Sequence, residues 1–397
     1  MKWFRVDNFF EAWRPVYRLL RMFSLTTVTY NFRDQTAERT SADQTLFIVG
    51  MLISLLALYY SFAYYQDRLF VLTNSHIIST GRFGTLIFIV VAHAVTVITN
   101  YVKAYRIAKF PKNIDKIDHQ ITKLFKHSMD YQAEHLRIVL FITFRYLGWI
   151  IVALIIGNAA PLDGLNWIES LSLGLSFLWI NLGFQTKILS ILIMIAAIRK
   201  RFMVLNKILL ELSNNRGSTI DTDQLRMQLT KIAILHDQLS DIVDHFNSCH
   251  SSTVMCALAT AFSFVVFSTF AMIHAFAANV DASIFRIAWT SMVFDIILVS
   301  NVVYILIFSG QVNDDCKQTA VLVHKAISYR SYDRRICHQL WKMSQQMWHH
   351  MPKISCGLFD FDWELIFTII SSVTTYLVIL MQFDLVNYSQ GFASDRH

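Results

Sequence analysis

Seven stretches of 19 to 28 mostly apolar residues, at 45–65, 83–102, 138–160, 171–198, 254–278, 287–309 and 365–383, constrain this chain more than any other feature. A helix rises about 1.5 Å per residue and a bilayer's hydrocarbon core is about 30 Å thick, so each stretch is long enough to cross it. Lipid offers no partner to a backbone amide, and none of the stretches alternates polar and apolar residues as a barrel strand does. Each is therefore predicted to be a helix. Composition agrees: charged residues make up 16% of the chain, well under the roughly 25% of a soluble domain, and 12 Gly with 4 Pro leave few turns. The predicted fold class is an all-α membrane protein with seven transmembrane helices. The first 44 residues hold no apolar signal-like core, so the first helix is expected to direct insertion.

The intervening segments differ sharply in Lys and Arg. Segments 1–44, 103–137, 199–253 and 310–364 carry 7, 8, 7 and 7, whereas 66–82, 161–170, 279–286 and 384–397 carry 2, 0, 1 and 1. The cytoplasmic side collects the basic excess, so the N-terminus is expected to be cytoplasmic and the C-terminus external. That is the reverse of a G-protein-coupled receptor. Cys249, Cys256, Cys316, Cys337 and Cys356 lie on or beside the segments assigned to the inside, and no disulfide framework is expected.

This orientation divides the chain into a cytoplasmic N-terminal segment (1–44), helices 1 to 4 (45–198), a cytoplasmic helical extension (199–253) and helices 5 and 6 (254–309). A cytoplasmic anchor segment (310–364), helix 7 (365–383) and an external tail (384–397) complete it. Leu225, Leu229, Ile232, Leu235, Leu239, Ile242 and Phe246 recur every three or four residues, and Ile336, Leu340, Met343 and Met347 form a second stripe that ends before Pro352. Helices 4 to 6 are thus expected to extend into a cytoplasmic anchor region. Leu340, Met343 and Met347 are candidates for a subunit interface, with packing inside one chain as the plainer alternative. Lys187 either sits at the inner interface, if helix 4 continues, or is buried in the bundle.

Ionisable groups inside a span cost about 2.5–3.5 kcal/mol on insertion scales and so single themselves out. Arg145 and Asp295 either pair or contact a ligand, and His93 is a third such group. With the orientation above, the outer halves of helices 1 to 6 hold Tyr60, Tyr64, Trp149, Trp179, Phe270, His274, Trp289 and Phe294. Ligand cavities are mostly apolar with aromatic faces and a few placed polar groups, so this set, with His93 and Asp295, supplies the candidate ligand-binding residues. No hydrolase elbow, phosphate loop or zinc-protease motif is present, so no catalytic residue and no cofactor is expected. His245, Cys249, His250 and Cys256 match no common zinc spacing, and no metal site is expected. Basic charge is dispersed between apolar runs, so no nucleic-acid partner is expected.

The last stretch is the most specific. Thr375 and Tyr376, five apolar residues, then Gln382 and Phe383 match the TYhhhhhQF signature that insect gustatory receptors carry on their last helix. Gly357, Leu358, Phe359, Asp360 and Asp362 resemble that family's approach to the helix, and Arg201, Phe202, Leu205, Asn206 and Pro15 resemble weaker positions. The resemblance implies a ligand-gated, non-selective cation channel in the plasma membrane of gustatory sensory neurons, embedded in lipid and passing Na, K and Ca. It also implies a homo- or hetero-tetramer, gated by a small-molecule tastant, with helix 7 lining the pore. On a helix, Ser371, Thr375, Ile379, Gln382 and Val386 share one face, and its polar groups would be unpaired against lipid. Hydrogen bonding between helices satisfies them equally well by sequence alone. Asp360, Asp362 and Glu364 are expected at the inner entrance and Asp384 at the outer end. The family's sugar receptors have Glu directly after the Tyr, where this chain has Leu377. That departure favours a bitter or other small organic tastant; the alternatives are a fructose-type channel, a G-protein-coupled receptor or a small-molecule transporter.

Overall fold

The computed structural model describes residues 6–32, 34, 36–72, 76–159, 167–214, 222–277, 282–329 and 333–394. Two short helices, α1 (Phe9–Ala12) and α2 (Arg14–Met22), precede an antiparallel hairpin of β1 (Thr29–Asn31) and β2 (Thr36–Glu38). Asn8 caps α1 by accepting a bond from Glu11 N at 2.7 Å, and Pro15 occupies the first turn of α2, where no backbone donor is needed. Tyr17 meets Tyr30 and Phe32 edge to face, with centroids 4.6 and 5.6 Å apart, and so ties helix to hairpin. The N-terminal segment, read from sequence only as a cytoplasmic stretch, is therefore a folded part of the core, with Phe9, Phe10 and Trp13 all buried.

The long helices follow: α3 (Ser41–Leu72), α4 (His76–Val102), α5 (Ala104–Phe125), α6 (Tyr131–Ala159), α7 (Trp167–Asn214), α8 (Thr222–Ala277) and α9 (Ala282–Tyr329). A shorter α10 (Arg334–His349) leads to the last helix, α11 (Trp363–Ser394). Among the described residues, α3, α4, α6, α8, α9 and α11 are long and apolar enough to cross a membrane, and α7 contains the remaining apolar stretch. This is the predicted seven-helix membrane class. At 48, 56 and 48 residues, α7, α8 and α9 are each more than twice as long as a bilayer core requires, so all three continue beyond it. The sequence reading missed α5, whose buried Ala104, Ala108, Ile114, Ile117 and Ile121 keep helical spacing through a strongly basic segment.

A fully buried face of α7 runs from its apolar stretch into its extension. Ile188, Ile191, Ile195, Ile198, Phe202 and Leu205 make one fully buried stripe on α7, spaced by alternating threes and fours. Within that core Arg201 donates to Asp118 at 3.0 and 2.6 Å and to Glu134 at 2.6 Å, and lies 4.6 Å above the Phe9 ring. Burial alone would favour loss of its proton, but the Asp118 and Glu134 carboxylates outweigh that and hold its pKa above the ordinary arginine value.

One expectation is corrected here. Leu340, Met343 and Met347 are 1%, 1% and 3% exposed within the single chain, packed in its own core, and leave no surface for a second subunit. Their spacing reports an amphipathic helix but not which partner covers it. The opposite face of α10 leaves Trp341 and Trp348 exposed.

Candidate ligand cavity and pore face

Arg145 and Trp149, one turn apart on α6, converge with Gln185 of α7 and Asn301 of α9 around a cavity of about 10 Å³. That is room for about one water molecule. The leucines Leu182, Leu189 and Leu192 supply the apolar wall. Arg145 donates to Ser300 Oγ at 3.0 Å and to Asn301 Oδ1, and stands 5.7 Å from the Tyr304 ring centroid. Asn301 in turn donates to Gln185 Oε1 at 2.9 Å. Asp295 does not pair with Arg145; it accepts from Ser268. Among the described residues the Trp149 indole N–H and the Gln185 amide nitrogen are buried with no partner. Leaving such a donor unpaired costs about 1–3 kcal/mol, so the cavity is suited to a hydrogen-bond acceptor of about the size of a water molecule.

Of the ligand residues read from sequence, Trp149 is the one whose described side chain lines this cavity, with Phe294 behind it in a T-shaped contact at 5.5 Å. His93 is buried on α4. Trp179 donates to Ser54 Oγ at 3.1 Å, and Phe270 packs with Ile78. His274 pairs with Asp384 of α11 at 2.8 Å. Trp289 is 53% exposed on the outside of α9, as an interfacial aromatic would be. The side chains of Tyr60 and Tyr64 lie outside the described residues, as does that of Val386. Tyr146, Gln185 and Asn301 were missed because neutral side chains in an apolar run raise no charge signal.

The last helix differs from all the others. None of the most apolar window of α11 is buried. It touches the bundle through Ile366, Ile369, Leu377, Leu380 and Met381, while Ser371, Thr375, Ile379 and Gln382 are exposed on the side turned away. The acids at its ends have partners: Lys353 holds Asp360 at 2.7 Å, and Asp362 caps the helix by accepting from Leu365 N at 3.2 Å. Glu364 remains exposed in the first turn.

A family model described as 7tm Chemosensory receptor matches residues 13–387. The chain is similar to gustatory receptor 28a of Drosophila melanogaster, 25% identical over 171 residues, which cover 42% of this chain and 38% of that one. It is also similar to gustatory receptor for bitter taste 66a of the same organism, 24% identical over 162 residues, covering 40% and 31%. The matched part thus spans well under half the length of either relative. In three dimensions it superposes on the insect olfactory receptor OR5 from Machilis hrabei with a TM-score of 0.67 at 10% identity, over 93% of this chain and 97% of that one. The same receptor in complex with eugenol gives 0.57 at 10% identity, over 95% and 100%. At such low identity the likeness speaks for the fold alone.

Proposed function

The chain belongs to the 7tm chemosensory receptor family, and on that premise we propose that it is a ligand-gated, non-selective cation channel whose pore is lined by α11 in an assembly of four copies. The family is one of receptors, not of enzymes, and the chain is a multi-pass membrane protein. The observation that carries the proposal is the exposed face of α11. An apolar helix needs lipid or protein around it; the Thr375 hydroxyl is satisfied within the helix by the Ser371 carbonyl at 3.0 Å, but a helix that turns the Gln382 amide and the Ser371 hydroxyl away from its own bundle needs water or another copy against that face. Four copies around an axis supply both. Ile379 would form an apolar ring able to dewet when closed, with Gln382 one turn beyond it and Glu364 at the inner mouth to concentrate cations. The Lys and Arg asymmetry supports an inner N-terminus and an outer C-terminus.

The ligand is a small organic tastant of bitter type, bound between α6, α7 and α9. Support comes from the two unpartnered donors beside Arg145, from Leu377 after Tyr376, and from the similarity to a receptor named for bitter taste. The cavity holds about one water in this conformation, so a ligand must favour an arrangement in which the three helices stand further apart. Only such differential affinity shifts a gating equilibrium. Gly310 of α9 lies against the Trp363 indole at the start of α11, so movement of α9 has a direct route to the pore helix.

Recording membrane current from cells expressing the chain, under a panel of small organic compounds, tests the proposal. The expected result is a ligand-evoked current that reverses near zero in mixed Na and K. A response that requires a G protein and carries no current, or accumulation of the compound without conductance, would contradict it.

A further inference from the structure

We propose that a second cavity, beneath the N-terminal segment, is a binding site for one small inorganic anion of halide size. The cavity has a volume of about 20 Å³ and is walled by Trp13, Leu25 and Tyr30 from the N-terminal segment, Asn100 from α4, Ile107 from α5 and Lys187 from α7. Lys187 is 1% exposed, which settles its place: it is buried in the bundle and not at an interface. Its ammonium carries three donors, and among the described residues its hydrogen-bond acceptor is Asn100 Oδ1, at 2.5 Å. No described carboxylate lies within ion-pair distance. Its electrostatic neighbours on α8 are Cys249, whose thiolate form would favour the ammonium, and His250, whose buried Nδ1 has no partner among the described residues.

Asn100 adds to the imbalance. Its oxygen is taken by Lys187, while its Nδ2, in a side chain 2% exposed, has no partner among the described residues. The cavity therefore gathers an ammonium with a single acceptor for its three donors and an amide N–H with none, inside walls that are otherwise mostly apolar and aromatic. Donors without acceptors select against cations, and a buried ammonium with no carboxylate beside it must either shed its proton or take up an anion. Water relieves the hydrogen bonding but not the charge. A monatomic anion relieves both, and the space is about that of one or two waters, too small for a phosphate headgroup or an organic acid. The walls come from the N-terminal segment, α4, α5 and α7, so an ion seated there would touch four elements that already pack together.

Thermal unfolding of the purified full-length chain in detergent tests this, with sodium bromide titrated against sodium gluconate at constant ionic strength. A ligand that binds only the folded state raises Tm with a saturable concentration dependence. Bromide should do so and gluconate should not. Asn100→Asp places a fixed carboxylate beside Lys187 and should keep the fold while raising the bromide midpoint about tenfold or more. Lys187→Met should abolish the bromide effect, and if that variant does not fold, Asn100→Asp carries the test. An anomalous bromide peak beside Lys187 Nζ is the expected direct sign. Equal Tm in both salts for the unsubstituted chain would mean that the lysine is neutral or hydrated, and would overturn the proposal. An unchanged bromide midpoint in Asn100→Asp would overturn it equally. The test requires no channel activity and stands apart from the pore assignment.

Discussion

Arg201 joins α1, α5, α6 and α7 through one guanidinium, and removing a single partner should show how much depends on it. Asp118→Ala leaves a buried cation short of an acceptor and should cost about 3–5 kcal/mol, read as a lowered Tm and a loss of monodisperse protein in detergent. A replacement that makes Arg201, Asp118 and Glu134 all apolar should be better tolerated than the single change; a loss under about 1 kcal/mol for Asp118→Ala would contradict this account. Arg201 was visible in the sequence as a family-like position, but its partners were not, because they lie 83 and 67 residues away. The candidate cavity divides in the same way. Trp149 was legible as a large aromatic in an apolar run, whereas Gln185 and Asn301 gave no comparable signal. Once an agonist is found, Trp149→Ala and Asn301→Ala should shift its dose response at retained surface expression, and Trp289→Ala should not. The opposite pattern would move the ligand site to the outer face of α9.

At the scale of elements, the connection from α10 to α11 is fastened more firmly than its irregular backbone suggests. His350 meets Asp237 at 3.0 Å through Nδ1 and Asp244 at 3.1 Å through Nε2, an arrangement that needs both ring nitrogens protonated. Asn247 donates to Lys353 O at 2.7 Å and accepts from Ser355 N at 3.2 Å, and Asn313 accepts from Ile354 N at 3.1 Å. The bonds to Asp237 and Asp244 raise the His350 pKa above its ordinary value, with His236 the other titratable neighbour on α8. A raised pKa means that the clasp contributes fully below the ordinary histidine value, about 6.5, and is lost as pH climbs through the raised one. Hydrogen exchange at amides 351–362, corrected for intrinsic rates, should therefore quicken as pH rises through that window. His350→Gln should flatten the dependence, and an equally steep profile in that variant would rule the clasp out. The long helices were legible because apolar runs and three-four spacing survive in one dimension. The hairpin and α5 were not, because short strands leave little pattern and a basic segment containing Pro111 reads as a loop.

The whole molecule combines a loosely covered membrane bundle with a densely packed extension. Epitope tags should place the N-terminus inside and the C-terminus outside, with the C-terminal tag alone reached in intact cells, as the basic asymmetry requires. Access to the N-terminal tag without permeabilisation would reverse the topology and with it the assignment of α11's two ends. Fold class was readable from the sequence because bilayer thickness fixes helix length; assembly was not, because burial within one chain and burial between chains leave the same stripe, as Leu340 and Met343 demonstrate. The most direct test of the central claim, that the exposed face of α11 lines a cation pore, is substituted-cysteine block of the agonist-evoked current. A thiol-reactive cation applied during activation should block Thr375→Cys and Gln382→Cys while leaving the unsubstituted channel and Leu380→Cys, which faces the bundle, conducting. Block at Leu380→Cys with Gln382→Cys and Thr375→Cys unaffected would contradict it.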